Sequence, residues 1–204
     1  MPPFGLAWFR NQIKEYVPQI ALSDHQFSTL FRHFELLRRW NERINLTSIE
    51  TPTEIVSRHY CDSIFFAFNL PDGNEGMTVL DFGSGAGFPG FPSAVLRPEL
   101  RITLLEANQR RAVFLKEASR ALSNIAVESE RGETFRKPHD WVVARAVKPQ
   151  DVLQAIPRLG SKIGLLVGES SLDQLERTQR FRWLPMLKIP WSERRFCVYG
   201  ECFT

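Results

Sequence analysis

An acid followed by glycines at alternate positions, Asp81-Phe-Gly83-Ser-Gly85-Ala-Gly87, closes a short apolar run that begins at Val79. Glycine has no Cβ, so backbone amides spaced in this way can approach a ligand closely where a buried strand ends. A loop of this kind suits a nucleotide-like molecule. A second acid, Glu106, stands 25 residues beyond Asp81. That interval accommodates one helix and a return strand, which places the Glu106 carboxylate to accept two hydrogen bonds from ribose hydroxyls. The dinucleotide spacing Gly-x-Gly-x-x-Gly is met only from Gly85 through Gly87 to Gly90, displaced past Asp81 and followed by proline, so the register disfavours a nicotinamide dinucleotide.

These residues need a sheet to hold them, and the pattern after residue 74 supplies one. Short apolar runs predict strands at Met77 to Phe82, Arg101 to Glu106, Ile125 to Glu128, Asp140 to Ala144 and Lys162 to Val167, several of them separated by helix-length stretches. Such alternation implies right-handed crossovers and a mainly parallel sheet covered on both faces. Leu184 to Ile189 and Arg195 to Tyr199 flank Pro190-Trp191-Ser192 too closely for another crossover and predict a closing antiparallel pair. Upstream, Ser23-Asp-His-Gln26 has capping-box spacing before Phe27, Leu30, Phe31, Phe34, Leu37 and Trp40 at helical period, a face that reads as core. Thr51-Pro52-Thr53-Glu54 starts a further helix. The turn residues Leu70-Pro71-Asp72-Gly73-Asn74 then mark the boundary between a helical extension, residues 1–70, and a Rossmann-like α/β domain, residues 71–204.

Composition narrows the class. With 43% hydrophobic and 24% charged residues among 204, the chain reads as a soluble globular protein. Phe4, Trp8 and Phe9 are interleaved with Arg10, Lys14 and Glu15, so the first 16 residues lack the apolar run of a signal peptide or membrane span, and a cytosolic protein without membrane association is expected. Cys61, Cys197 and Cys202 are odd in number and have no C-x-x-C spacing, which argues against disulfides and a thiolate metal site. The net charge of +3 is uneven: residues 177–195 carry six Lys/Arg against Glu193 alone, which predicts a basic surface near the C-terminus.

An acid within the glycine motif and a second acid ending the next strand resemble the class I S-adenosylmethionine methyltransferases. Four local motifs, the extended glycine loop among them, narrow the resemblance: Trp40-Asn41-x-x-x-Asn45-Leu46-Thr47, Arg58-His59-x-x-Asp62-Ser63, Asp81-Phe-Gly-Ser-Gly-Ala-Gly-Phe-Pro-Gly90 and Arg145-Ala146-Val147. In this order they are similar to the bacterial small-subunit rRNA guanine-N7 methyltransferases, the glucose-inhibited division protein B family, from about Ser23 to Tyr199. The resemblance implies S-adenosyl-L-methionine as cofactor and 16S rRNA or the 30S ribosomal subunit as partner, modified in the decoding region. It implies cofactor contacts at Gly83, Phe88, Gly132, Glu133 and Arg145, and matches Asp81 and Glu106 to the superfamily acids; Gly85 and Gly87 complete the loop. Two positions depart from the family pattern. Arg110-Arg111 replaces Lys-Arg after the second acid, keeping charge, and Val167-Gly168 replaces a Lys-Gly that follows the fifth strand, losing one cation.

The chemistry implied is light in catalytic groups. Guanine N7 has an exposed lone pair and no proton, so methyl transfer to it calls for orientation and a favourable field rather than a general base. The sequence lacks the Asp/Asn-Pro-Pro-aromatic signature of exocyclic adenine methylation and the Pro-Cys element of cytosine-C5 enzymes. Arg145 is the candidate catalytic residue. Arg58, Arg110, Arg111, Arg194 and Arg195 are the candidates for RNA phosphate, no metal is expected, and the protein is expected to be a monomer. His59 and Asp62, at helical spacing, fit either a substrate-facing cluster or an interhelix hydrogen bond. Two other readings share these features: a methyltransferase acting on a protein or small molecule, and a noncatalytic ribosome-binding protein that retains the cofactor fold.

Overall fold

A computed structural model describes residues 4–71 and 74–203. Asp72 and Gly73, in the expected boundary turn, lie outside the described residues. Helix α1 spans Leu6–Tyr16 and α2 Asp24–Asn41. At the start of α2 the predicted capping box is complete: Ser23 Oγ accepts from the Gln26 N–H (3.2 Å), and Gln26 Oε1 accepts from the Ser23 N–H (2.8 Å). Gln26 Nε2 also donates to the Val95 carbonyl (2.9 Å), tying this helix end to the helix at residues 90–96. Helix α3, Pro52–Ile55, is capped by Thr51 and passes through a π-helical turn, Val56–Cys61, into α4, Asp62–Asn69.

The remaining elements alternate: β1 Thr78–Phe82, α5 Gly90–Leu96, β2 Arg101–Leu105, α6 Gln109–Ser119, β3 Ile125–Glu128, β4 Trp141–Arg145, α7 Pro149–Leu159 and β5 Lys162–Gly168. After a short helix, α8 Leu172–Glu176, come β6 Phe181–Trp183, β7 Leu187–Lys188 and β8 Arg195–Cys202. The strand order is β3-β2-β1-β4-β5-β8-β6, with β7 also pairing β8. β1 to β5 are parallel, and β8 enters antiparallel between β5 and the β6/β7 edge. The expected mainly parallel sheet with an antiparallel last strand is therefore present. The strand expected at Leu184 to Ile189 is shortened to β7, antiparallel to β8 as expected, and β6, just before it, is a further strand beyond those expected. Both pair with β8 and are separated by a stretch in which the Leu184 N–H still bonds to the Tyr199 carbonyl (2.9 Å).

Alternation along β1 divides the interior. Val79 faces a cluster with Phe9, Phe34, Leu37, Tyr60 and Leu104; α4, α5 and α6 cover this face of the sheet, and α1 and α2 pack outside them. Leu80 faces the opposite cluster with Val142, Ile156 and Leu159, under α7. Phe27, Leu30, Phe34 and Leu37 are all buried, as the helical period of α2 predicts. Although α2 packs on α5 and α6 and the π turn on α1 and α4 rather than on the sheet itself, His33 and His59 still reach Phe88 beside the carboxyl edge. Truncating Phe34 or Tyr60 to Ala would cost about 3–5 kcal/mol by the usual large-to-small scale, loosening that edge with it.

Candidate functional site

At the end of β1 the chain turns through Gly83, Gly85 and Gly87, all with left-handed backbone (φ 70°, 60° and 91°). Gly85 shows why the residue type is needed: a side chain there would meet no atom closer than 3.9 Å, so its conformation, rather than lack of space, demands glycine. The same opening leaves the loop backbone approachable. Asp81 lies fully buried beneath the loop, where its Oδ2 accepts from Ser84 Oγ (2.6 Å) and the Gly90 N–H (3.0 Å) while Oδ1 has no partner. Burial raises its pKa to about 7 against the opposing hydrogen bonds. Glu106, just past β2, accepts from the Gly85 N–H (2.8 Å) on Oε2 and the Asn108 N–H (2.7 Å) on Oε1. Both acids thus hold backbone, and each Glu106 oxygen keeps one lone pair for a hydroxyl donor.

Beside the loop is a cavity of about 360 Å³, within the range of small-molecule sites, whose walls include Gly83, Gly85, Phe88, Arg58, Arg111 and Arg145. Thr47, Ser48 and His59 also line it. A larger groove of about 930 Å³ runs along the opposite edge, past Glu75, Arg101 and Asn124 at the amino ends of the strands. The smaller one is the better candidate, because an open α/β sheet presents its loops and ligand crevice at the carboxyl ends.

The wall facing the glycine loop comes from the helical extension. Asn41 Oδ1 accepts from the N–H groups of Leu46 and Thr47 (both 2.9 Å), and Arg111 Nη2 donates to the Asn45 carbonyl (3.0 Å), so the Trp-Asn-Asn-Leu-Thr motif closes a loop over the cavity. Arg145, at the last position of β4, donates from Nη1 to His59 Nδ1 (2.6 Å). A guanidinium has no acceptor, so Nδ1 accepts, the proton sits on Nε2, and Nε2–H donates to Thr47 Oγ1 (2.8 Å). The His59 ring stacks on Phe88 at 4.7 Å with an interplanar angle of 10°. Burial, then the Arg145 and Arg58 charges, hold the His59 pKa well below the ordinary imidazole value. Arg145 itself is brought down to about 10, by burial first and with the nearby Asp62 carboxylate opposing.

The other predicted residues divide. Arg111 and Arg58 line the cavity, while Arg110 is exposed on the first turn of α6, where Asn108 caps its N–H and that of Arg111 (3.0 and 3.2 Å). Gly132 packs against the Phe82 ring and Glu133 is exposed; neither is a cavity wall. Arg194 points outward with its side chain 84% exposed. Arg195 turns inward: its Nη1 lies 3.0 Å from Asp62 Oδ2, off the hydrogen-bond line, and its Nε donates to Ser192 Oγ (3.0 Å). Asp62 is buried, accepts from Trp191 Nε1 (2.9 Å) and has its pKa raised to about 6 by burial. Sequence reasoning left His59 and Asp62 open and passed over His33. That residue lies buried in α2, 2.6 Å from the Tyr60 hydroxyl and stacked on Phe91 at 4.1 Å. Its polar type on an otherwise apolar helix face was the available signal.

Comparison with known proteins places this geometry. Residues 26–184 match the family described as GidB, rRNA small subunit methyltransferase G. The chain belongs to that family. It is 34% identical over 186 residues to ribosomal RNA small subunit methyltransferase G of Staphylococcus haemolyticus, covering 86% of this chain and 76% of the relative. With the protein of the same name from Nitrosococcus oceani the identity is 38% over 165 residues, covering 77% and 75%. Among solved structures, a SAM-dependent methyltransferase from Aquifex aeolicus superposes with TM-score 0.57 at 16% identity, covering 74% of this chain and 93% of that one. A putative RNA methyltransferase from Pyrococcus horikoshii gives 0.56 at 13%, covering 85% and 100%. The structural likenesses establish the class I methyltransferase fold. Among the described residues of this rRNA small subunit methyltransferase G family member, no helix is long and apolar enough to cross a membrane, and no group of three or more His, Cys, Asp or Glu residues is placed to hold a metal.

Proposed function

We propose that the protein transfers the methyl group of S-adenosyl-L-methionine to N7 of a guanosine in the decoding region of 16S rRNA, acting on the 30S subunit in the cytoplasm. The observation that carries this reading is the joining, in one cavity, of an open glycine loop backed by two acids and three arginines without a general base in reach. The loop fits the cofactor because nothing crowds Gly85 and because Glu106 retains lone pairs beside it. When bound, that cofactor supplies an electrophilic methyl on a sulfonium. Gly83, Gly85 and Phe88 form its wall, Glu106 receives the ribose, Asp81 supports the loop from below and Gly87 turns it; Gly132 and Glu133, which are not cavity walls, are assigned to the cofactor by the family resemblance alone. Arg145 orients the reacting groups at the strand edge. His59 is held neutral and accepts from Arg145, so it has no free Nδ1 lone pair with which to remove a proton, and transfer to guanine N7 requires none.

Arg58, Arg110, Arg111 and Arg194 meet RNA phosphate in this reading. Incubation with methyl-labelled S-adenosylmethionine and either 30S subunits or naked 16S rRNA, followed by nucleoside analysis, tests it. Label is expected in 7-methylguanosine alone. Label in another nucleoside, or in ribosomal protein, would redirect the assignment.

A further inference from the structure

Two adjacent side chains of the π turn are pulled opposite ways. His59 faces the cavity and bonds Arg145, whereas Tyr60 is buried against Phe9, His33 and Phe88. Ser57, His59, Tyr60 and Cys61 are all buried, a density that one face of a regular α-helix does not provide. A π turn carries one more residue than an α turn and widens the helix locally, and such turns occur mostly as single insertions at functional sites. Here the insertion lets one helix pack Tyr60 in the core and still present His59 to the end of β4.

The imidazole is fixed on three sides. Its ring stacks on Phe88, which follows the glycine loop; its Nε2–H donates to Thr47 Oγ1; and Nδ1 receives Arg145. Thr47 is anchored in turn, since its hydroxyl accepts from the Ile49 N–H (3.1 Å) and its own N–H is held by Asn41. We infer that His59 is a positioning residue for Arg145, a neutral acceptor that fixes the guanidinium at the carboxyl edge of β4 for methyl transfer. The inference rests on the role given to Arg145 above. A carboxylate in this place would neutralise the guanidinium, whereas a neutral imidazole fixes its direction and leaves its charge available to the cavity. After burial, the strongest influences on the ring favour the neutral form: Arg145 from β4, Arg58 from its own turn, His33 from α2 and Arg195 from β8.

Three substitutions and one spectrum test this. His59→Phe keeps a ring to stack on Phe88 and removes the acceptor; His59→Asn keeps an acceptor near the Nδ1 position and loses the ring. Turnover is expected to fall about 10- to 100-fold in His59→Phe, and to recover at least partly in His59→Asn. Adding His59→Phe to Arg145→Ala should change turnover little further, because the two act as a unit. In the cofactor-free protein, nitrogen NMR should find His59 as the Nε2–H tautomer from pH 6 to 8, and its pKa should rise in Arg145→Ala. Full turnover in His59→Phe, independent effects in the double variant, or the Nδ1–H tautomer would overturn the inference alone. Full turnover in Arg145→Ala would instead overturn the reading of Arg145 on which it depends.

Discussion

The two walls of the cavity are built from different materials. The glycine loop is a backbone structure: its shape depends on left-handed residues and on Asp81 and Glu106 accepting from main-chain N–H groups. The opposite wall, supplied by the helical extension and the end of β4, is a chain of side chains from Asn41 through Thr47 and His59 to Arg145. A backbone wall tolerates change only where conformation permits and governs what fits against it. A side-chain wall can be altered atom by atom without moving the main chain, and it sets charge and direction. Binding should therefore respond to the first wall and turnover to the second.

The largest effect that would break this division is at Arg145. Arg145→Ala is expected to lower kcat by about 10²–10³, in the range of removing one fixed electrostatic group, with cofactor affinity changed much less. Steady-state kinetics on saturating 30S subunits, alongside calorimetry, separate the two. If affinity falls as far as turnover, both walls serve binding and the distinction is lost.

His33 sits where the walls meet, against Tyr60 of the extension and Phe91 beyond the loop, and burial lowers its pKa from 6.5 to about 3. A histidine with a depressed folded pKa stabilises nothing extra above 6.5 and penalises the fold as pH falls below it, because the unfolded chain then binds the proton first. Between pH 7.5 and pH 5 that penalty amounts to about 2 kcal/mol. Asp81 and Asp62, raised to about 7 and about 6, act in the opposite sense over the same window, so the parent protein's own curve is flattened. The difference between parent and His33→Gln exposes the term: urea unfolding at the two pH values should show the parent losing about 2 kcal/mol relative to the variant. Parallel curves would remove His33 from the account of the junction.

A smaller effect concerns the two adjacent arginines at the start of β8. Arg194→Ala should flatten the log-log salt dependence of RNA binding by about 0.7, as for one phosphate contact on a single strand. Arg195→Ala should leave that slope unchanged and lower the melting temperature, since it leaves Asp62 buried without its ion pair. Equal slope changes in both would mean that Arg195 swings outward on RNA.

Much of the backbone wall was legible in the sequence because glycine and acid positions carry local conformational meaning. The loop, the capping box at Ser23, the N-cap at Thr51, and the span of β3 from Ile125 to Glu128 needed no tertiary information. The side-chain wall was less so. Arg194 and Arg195 look alike in sequence, and period-two alternation says that they diverge without saying which turns in; Asp62, distant in the chain, decides it. The π turn has no residue signature, so Arg58, His59 and Asp62 read as ordinary helical spacing. β6 was not legible, because Phe181-Arg182-Trp183 is too short a run to stand out, and β7 read as longer than it is because hydrophobicity alone does not reveal where pairing stops.

Calorimetric titration with S-adenosylhomocysteine tests the central claim most directly, namely that the backbone wall is the cofactor site. The parent should bind one equivalent. Gly85→Val, which forces a β-branched residue to φ near 60°, should weaken that binding by at least about tenfold, and Glu106→Ala should weaken it as well, in both cases with the thermal unfolding transition still cooperative. Unchanged affinity in both variants, or no binding to the parent, would contradict the assignment of the glycine loop.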